Sequence, residues 1–148
     1  MKTLNFTTVI DASPQKVWDT MLGKDTYPKW VDVAWPGSTY HGEWKQGAQI
    51  RFTGADGTGG GTLGEVTELT PYSKVDLHHI AVLLDDGSED RTSDMAKTWI
   101  GSTETYTFTP VDGSTKLDVA LTIPPDWADE FETGWTKAIV ALEQLAEQ

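Results

Sequence analysis

Near the C-terminus, apolar side chains recur at Phe131, Trp135, Ile139, Leu142 and Leu145, an i, i+4, i+8, i+11, i+14 series. That spacing lines up one face of an α-helix. It predicts a helix over residues 125–148, stopped on its upstream side by Pro124-Pro125 and capped by Asp126. Before it the dominant period is two. Residues 3–11 alternate, with Leu4, Phe6 and Ile10 on one side, and read as a strand. Six further strands are expected at 39–44, 49–53, 62–70, 74–84, 97–109 and 114–122. The break Asp112-Gly113, between two alternating runs, is a strong hairpin signal. Two short helices follow the first strand. Ser13-Pro14 supplies a hydroxyl cap and a proline at the first helical position, Val17, Trp18, Met21 and Leu22 form the stripe, and Gly23 ends it. Residues 25–31 read as a second helical turn carrying Trp30, and residues 32–38 as a loop carrying Trp35.

A long amphipathic helix that closes a chain of strands needs a broad surface on which to bury its stripe. A curved antiparallel sheet offers that surface, and a helix across it often leaves a cavity between the two. The expected class is therefore α+β, with residues 1–148 as a single domain by the usual size relation.

Charge and composition narrow the partners. With 11 Lys and Arg against 23 Asp and Glu the net charge is −12, which repels phosphate backbones and anionic membrane surfaces. Neither nucleic acid nor membrane is expected as a partner. The chain has no cysteine, so disulfide and thiolate chemistry are excluded and a reducing cytoplasm fits. Residues 1–6 lack the apolar run of a signal peptide, and the longest apolar stretch, residues 80–84, is far too short to span a bilayer. Seven Trp suit either a packed core or the wall of an aromatic pocket.

Several motif matches fall away on physical grounds. Gly59-Gly60-Gly61-Thr62-Leu63-Gly64 satisfies GxGxxG, but a strand rather than a helix follows it, so there is no helix N-terminus to hold a phosphate. Ser13-Pro14-Gln15-Lys16 matches SxxK, yet Ser13 already serves as a helix cap and the KTG and SDN companions are absent. Asn5-Phe6-Thr7 matches a glycosylation sequon inside a strand. The acidic run Asp85, Asp86, Glu89, Asp90 and Asp94 lacks the spacing of a calcium loop and reads as solvated. No metal or cofactor is expected.

Polar residues on inward positions remain. Val75 and Leu77 share parity with His79, so His79 faces inward and His78 outward. Glu104 shares parity with Tyr106 and Phe108, and an inward carboxylate needs a partner. If strands 74–84 and 97–109 form a hairpin, Glu104 lies near Leu77 or His79, and a buried Glu104–His79 pair is one outcome.

Several segments resemble the START-like (Bet v 1-like, SRPBCC) superfamily: residues 10–18 its opening strand-to-helix step, Tyr27-Pro28-Lys29-Trp30 its second short helix, and residues 64–71 its central strand and turn. Gly134-Trp135 within the last helix, with Leu142 beyond, is similar to the Hsp90-ATPase-activator-homologue (AHSA1-like) branch. The resemblance implies a helix-grip fold: a seven-stranded antiparallel sheet wrapped round a long C-terminal helix, with a hydrophobic cavity between. Members bind lipids, hormones or pigments, cyclise polyketides, or work as co-chaperone domains, so fold alone does not name a function.

The expected function is binding of a small, largely hydrophobic or aromatic molecule in that cavity. Its expected wall comprises Phe52, Tyr106, Phe108, Leu117, Val119, Phe131, Trp135 and Ile139, with Trp30 and Trp35 at the mouth and His79 and Glu104 as polar anchors. A polyketide cyclase or aromatase-like enzyme, with His79 or Glu104 as general acid/base, is one alternative. A co-chaperone-like interaction module is another. No nucleophile, base and oxyanion donor are recognisable together, and the oligomeric state, monomer or homodimer, is left open.

Overall fold

In the computed structural model, which describes residues 1–54 and 60–148, the alternating segments pair into one antiparallel sheet. β1 (Lys2–Ile10) is followed by α1 (Pro14–Leu22), α2 (Tyr27–Val31), β2 (Thr39–His41), β3 (Gln49–Thr53), β4 (Gly61–Thr70) and β5 (Lys74–Leu83). Then come β6 (Glu89–Asp90), α3 (Asp94–Trp99), β7 (Thr103–Val111), β8 (Ser114–Ile123), a 3-10 turn at Pro125–Trp127 and α4 (Ala128–Ala146). Seven strands lie side by side in the order β1-β8-β7-β5-β4-β3-β2, and the short β6 hangs on β5. This is the helix-grip arrangement, with α4 lying in the grip of the sheet.

Local chemistry explains the element ends. Ser13 Oγ accepts the Lys16 N–H at 3.2 Å, the cap that the SxxK match was expected to be. Asp112 and Gly113 sit at φ 49° and 84°, both left-handed, so the β7–β8 hairpin turns in two residues between Val111 and its partner Ser114. Strand parity places the core. Leu4 and Ile10, Val75 and Leu77, Tyr106 and Phe108, and Leu117, Val119, Leu121 and Ile123 are all buried. Over them α4 lays Trp135, Ala138, Ile139 and Leu142.

Four sequence expectations need correction. The expected strand 97–109 begins as a helix, because Ser93 Oγ accepts the Ala96 N–H at 3.1 Å and starts α3; β7 begins only at Thr103, after Gly101 at φ 96°. β5 and β7 are therefore antiparallel neighbours joined by β6 and α3, not a hairpin. The strand expected at 39–44 stops at His41, since Gly42 turns the chain at φ 128° so close to β3 that a Cβ there would lie 2.6 Å from Gln49 O. Asp126 lies in the 3-10 turn and does not cap α4, which starts after Trp127 without a side-chain cap. Most of the Gly54-to-Gly61 run, including the first glycine of the GxGxxG match, lies outside the described residues; β4 follows it. No described helix is long and apolar enough to cross a membrane.

Candidate functional site

Under the N-terminal half of α4 the grip is not filled. A cavity of about 210 Å³ lies there, walled by α2, α4, α3 and the inner faces of β3, β5 and β7. From α2 come Tyr27, Trp30 and Val31; from the next loop Trp35; from β3 Phe52; from α3 Trp99; and from α4 Phe131 and Trp135. His79, Glu104 and Tyr106 supply the sheet side, and Ser38, Thr39, Thr53 and Thr62 complete the rim.

Each ring is held by its own support. Trp30 donates its indole N–H to Met21 O at 3.1 Å, which ties α2 to α1. Tyr27 stands edge-on to Trp30 and to Tyr40, with ring centroids 5.4 and 5.1 Å apart. Trp35 lies directly on the backbone of α4 at Gly134, where a Cβ would fall 2.6 Å from its Cζ2. A glycine inside a helix is unfavourable by about 1 kcal/mol relative to alanine; here it provides the seat of an aromatic ring. Gly61 has a similar reason, since a Cβ there would lie 1.8 Å from Phe52 O. Trp99 is brought over His79, centroids 5.4 Å apart, by hydrogen bonds from His79 N–H to Ser102 O and from Gly101 N–H to His79 O.

The polar groups gather at one place. Leu77 and Glu104 are register partners, and the Glu104 side chain reaches along the strand to His79, with Nε2 3.8 Å from Oε2. That is an ion-pair distance and too long for a hydrogen bond. The Tyr106 hydroxyl donates to the same Glu104 Oε2 at 2.9 Å. His79 is 5% exposed and the Glu104 side chain 13%. His79 Nδ1 and Trp99 Nε1, both buried, have no hydrogen-bond partner among the described residues. Burial, and after it the charge of Glu104, pushes the Tyr27 and Tyr106 hydroxyls well above the ordinary tyrosine range.

Of the residues expected at the site, the structure brings Trp30, Trp35, Phe52, His79, Glu104, Tyr106, Phe131 and Trp135 to one cavity. Phe108, Leu117, Val119 and Ile139 are buried but do not line it. At Phe108 the grip is filled by α1, whose Trp18 packs on that ring at 5.2 Å between centroids. Trp30, expected at the mouth, is only 2% exposed, and the half-buried Trp35 lines the same space. Sequence reasoning missed Tyr27 and Trp99. Tyr27 shares a helical face with Trp30 at i, i+3, and Ser93-Asp94 ahead of Ala96 is a helix-start signal that would have placed Trp99 on α3.

Trp99 and Phe131, with Gly61 and Thr62, also border a second space of about 340 Å³, whose other walls include Met95 and Trp127. The acidic segment is knit within itself: Asp86 accepts from Ser88, and Asp90 from Thr92 and Ser93. Among the described residues no three His, Asp or Glu are placed to hold a metal ion.

Residues 11–147 match the family described as Activator of Hsp90 ATPase homolog 1-like protein. The chain belongs to that family. The AHSA1-like branch suggested by Gly134-Trp135 is thus the right one, and Gly134 has its physical reason in Trp35. No protein of curated function matches the chain in sequence. Among solved structures it resembles the Aha1 dimer from Colwellia psychrerythraea, with 23% identity, TM-score 0.73, and coverage of 99% of this chain and 97% of that one. A protein from Chromobacterium violaceum gives 18% identity, TM-score 0.72 and the same coverage. An HSP90 activator from Plasmodium falciparum gives 18% identity, TM-score 0.68, and coverage of 98% and 96%. At these identities the likeness is one of fold, and AHSA1-like proteins share it.

Proposed function

We propose that this AHSA1-like chain holds a small, largely apolar molecule between its sheet and α4. The observation that carries the reading is a cavity of about 210 Å³ ringed by eight aromatic side chains, with His79, Glu104 and Tyr106 collected on one wall. Apolar walls supply affinity and a few convergent polar groups supply orientation. Sites for drug-sized ligands measure roughly 300–1,000 Å³, so this cavity takes a compact occupant. The absence of cysteine also fits a reducing cytoplasm. Native mass spectrometry of the purified protein, followed by extraction of what it carries, tests the binding reading. Uptake of the uncharged dye N-phenyl-1-naphthylamine by the fully folded protein is the expected companion result. A protein that neither carries a small molecule nor takes up the dye would be a solid-core protein, and the reading would fail.

A protein-partner role is the second reading. It is favoured by the family's description, by the Plasmodium relative, and by the exposed Leu84, Met95 and Trp127. Co-purification with Hsp90 that Trp127→Ser and Met95→Ser together abolish would support it.

A further inference from the structure

The cavity is apolar nearly all round, yet it contains a carboxylate. Glu104 is mostly buried, and the hydrogen bond it receives within the protein comes from a neutral hydroxyl, that of Tyr106. Among the described residues no Lys or Arg lines the cavity. The other ionisable nitrogen nearby, His79 Nε2, stands 3.8 Å from Glu104 Oε2, beyond hydrogen-bond reach. The nearby ionic partner of Glu104 is thus an imidazole that is charged only when protonated. When it is neutral the buried carboxylate is left uncompensated, which is very unfavourable, and the wall at Glu104 can then take a further charged donor. The groups that surround it share one electrostatic sense. Aromatic faces carry negative quadrupole density and attract cations within about 6 Å of the ring centre, and eight aromatic rings line this space. The two tyrosine hydroxyls nearest Glu104 resist ionisation partly because of its charge, so a second negative group is disfavoured there. The whole chain, at −12, draws positive solutes toward it.

Resting on the cavity-binding reading, we infer that the occupant is an organic cation: an ammonium group on a compact apolar or aromatic body, its charge against Glu104 and its body among the rings. The ammonium donates to Glu104, whose Oε2 already receives the Tyr106 hydroxyl, and the unpartnered His79 Nδ1 is a further polar atom on the same wall. Neutral and anionic molecules of the same shape fit the rings but leave the carboxylate unpaired or repelled.

Three near-isosteric probes separate these cases: 2-phenylethylammonium, 2-phenylethanol and phenylacetate, each displacing N-phenyl-1-naphthylamine at pH 8, where imidazole in water is neutral. The expected order is the ammonium first, by about tenfold or more over the alcohol, with phenylacetate weakest. Glu104→Gln keeps the shape of the side chain and removes its charge. It should collapse the ratio of ammonium to alcohol affinity from about tenfold or more to about one. The remaining 22 acidic residues, from 23 less one, are untouched by this change. An ammonium preference that persists in Glu104→Gln would therefore come from overall charge and would overturn the inference. So would an alcohol that binds the unaltered protein as tightly as the ammonium does, although dye uptake would then leave the cavity reading standing. A folded protein that takes up no dye and binds none of the three probes would sink both.

Discussion

Two regions of the same grip are built from the same alternating strands and covered by the same helix, yet one is solid and the other hollow. Toward the C-terminal end of α4, Ile139 and Leu142 belong to the same buried core as Phe108, Leu117 and the stripe of α1, where Val17 and Met21 are fully buried. That end is also fastened: Glu143 accepts from Thr8 Oγ1 of β1 at 3.4 Å, and Glu147 accepts the N–H of Asp11, just past that strand, at 2.9 Å. Toward the N-terminal end, the cover is α2 and its following loop, which present stiff rings rather than adaptable aliphatic chains. Branched aliphatics interdigitate to crystal-like density. Rings meeting at angles of 47° for Trp30 on Trp135, 44° for Trp35 on Phe131 and 50° for His79 on Trp99 touch at edges and leave space between them. The hollow lies where rings dominate the inward face, whereas at the solid end the buried ring pair, Trp18 on Phe108 at 55°, is set among branched aliphatics.

Trp135 stands where the two regions meet, touching Phe6, Trp30, Trp35 and Tyr106. Its removal should have the largest effect. Trp135→Ala is expected to destabilise the fold by about 3–5 kcal/mol, a large share of the stability of a typical domain. Urea unfolding followed by circular dichroism checks this. A midpoint close to that of the unaltered protein would mean that the helix does not bridge solid and hollow regions as described.

Added volume distinguishes the regions directly. Val119 is 1% exposed and does not itself line the cavity, though it pairs with Phe6 on one side and the wall residue Tyr106 on the other. Val119→Trp should overpack the core and cost about 1–3 kcal/mol or more, without lowering dye uptake per folded molecule. Val31 is almost as buried, at 2%, but faces the cavity. Val31→Phe should change stability by less than about 1 kcal/mol, because the ring has space to enter, and should abolish dye uptake. Equal destabilisation by the two changes would show that the contrast between solid and hollow is wrong.

How much of this contrast was legible in the sequence follows from what alternation encodes. Parity assigns a side chain to a face, and it placed His79, Glu104, Tyr106 and Trp135 inward before any coordinates were known. It does not say whether the next atom inward belongs to a neighbour or to empty space. Phe108, Leu117, Val119 and Ile139 were read as inward on the same grounds as the cavity residues, yet they meet packed neighbours, as Phe108 meets Trp18 of α1, a fact of tertiary packing. Trp99 was lost for a different reason. Thr98, Trp99 and Ile100 are good strand formers, and their propensity concealed the Ser93 cap that makes α3 a helix. The Glu104–His79 juxtaposition was visible as an alternative because strand neighbours are few, but the register that decides it was not.

A smaller effect is expected at Gly134. An alanine there should favour the helix by about 1 kcal/mol, yet its Cβ would press on Trp35 at 2.6 Å from Cζ2. Gly134→Ala should therefore leave the unfolding midpoint nearly unchanged while lifting Trp35 off α4. Dye affinity would report the displacement. An alanine that stabilises the protein and leaves dye binding intact would show that Trp35 is not seated on the helix and that the wall of the hollow region is built differently.

The smallest expected effect compares two carboxylates on neighbouring register pairs, one facing into the hollow and one away from it. Glu104 pairs with Leu77 on the inner face, whereas Asp76 and Thr105 are partners on the outer face. Asp76 is the satisfied one: Thr105 Oγ1 donates to Oδ1 at 2.7 Å and Lys74 Nζ lies 3.6 Å from Oδ2. Partial burial raises its affinity for a proton, but the Thr105 hydrogen bond, with the Glu68 and Lys74 side chains, outweighs this and leaves the carboxyl below the usual aspartate value. The sign follows by linkage. A folded-state pKa below the unfolded one adds stability that is fully present above the unfolded value, near 4, and is lost as pH falls through the folded value. Asp76→Asn should therefore be slightly less stable than the unaltered protein at pH 7, and the difference should shrink as the pH is lowered below 4. Carbon-detected NMR titration of the Asp76 carboxyl gives the same answer without unfolding. A midpoint at or above that of a free aspartate, or a stability difference that stays constant from pH 7 to pH 3, would show that the outer carboxylate is no better satisfied than the inner one.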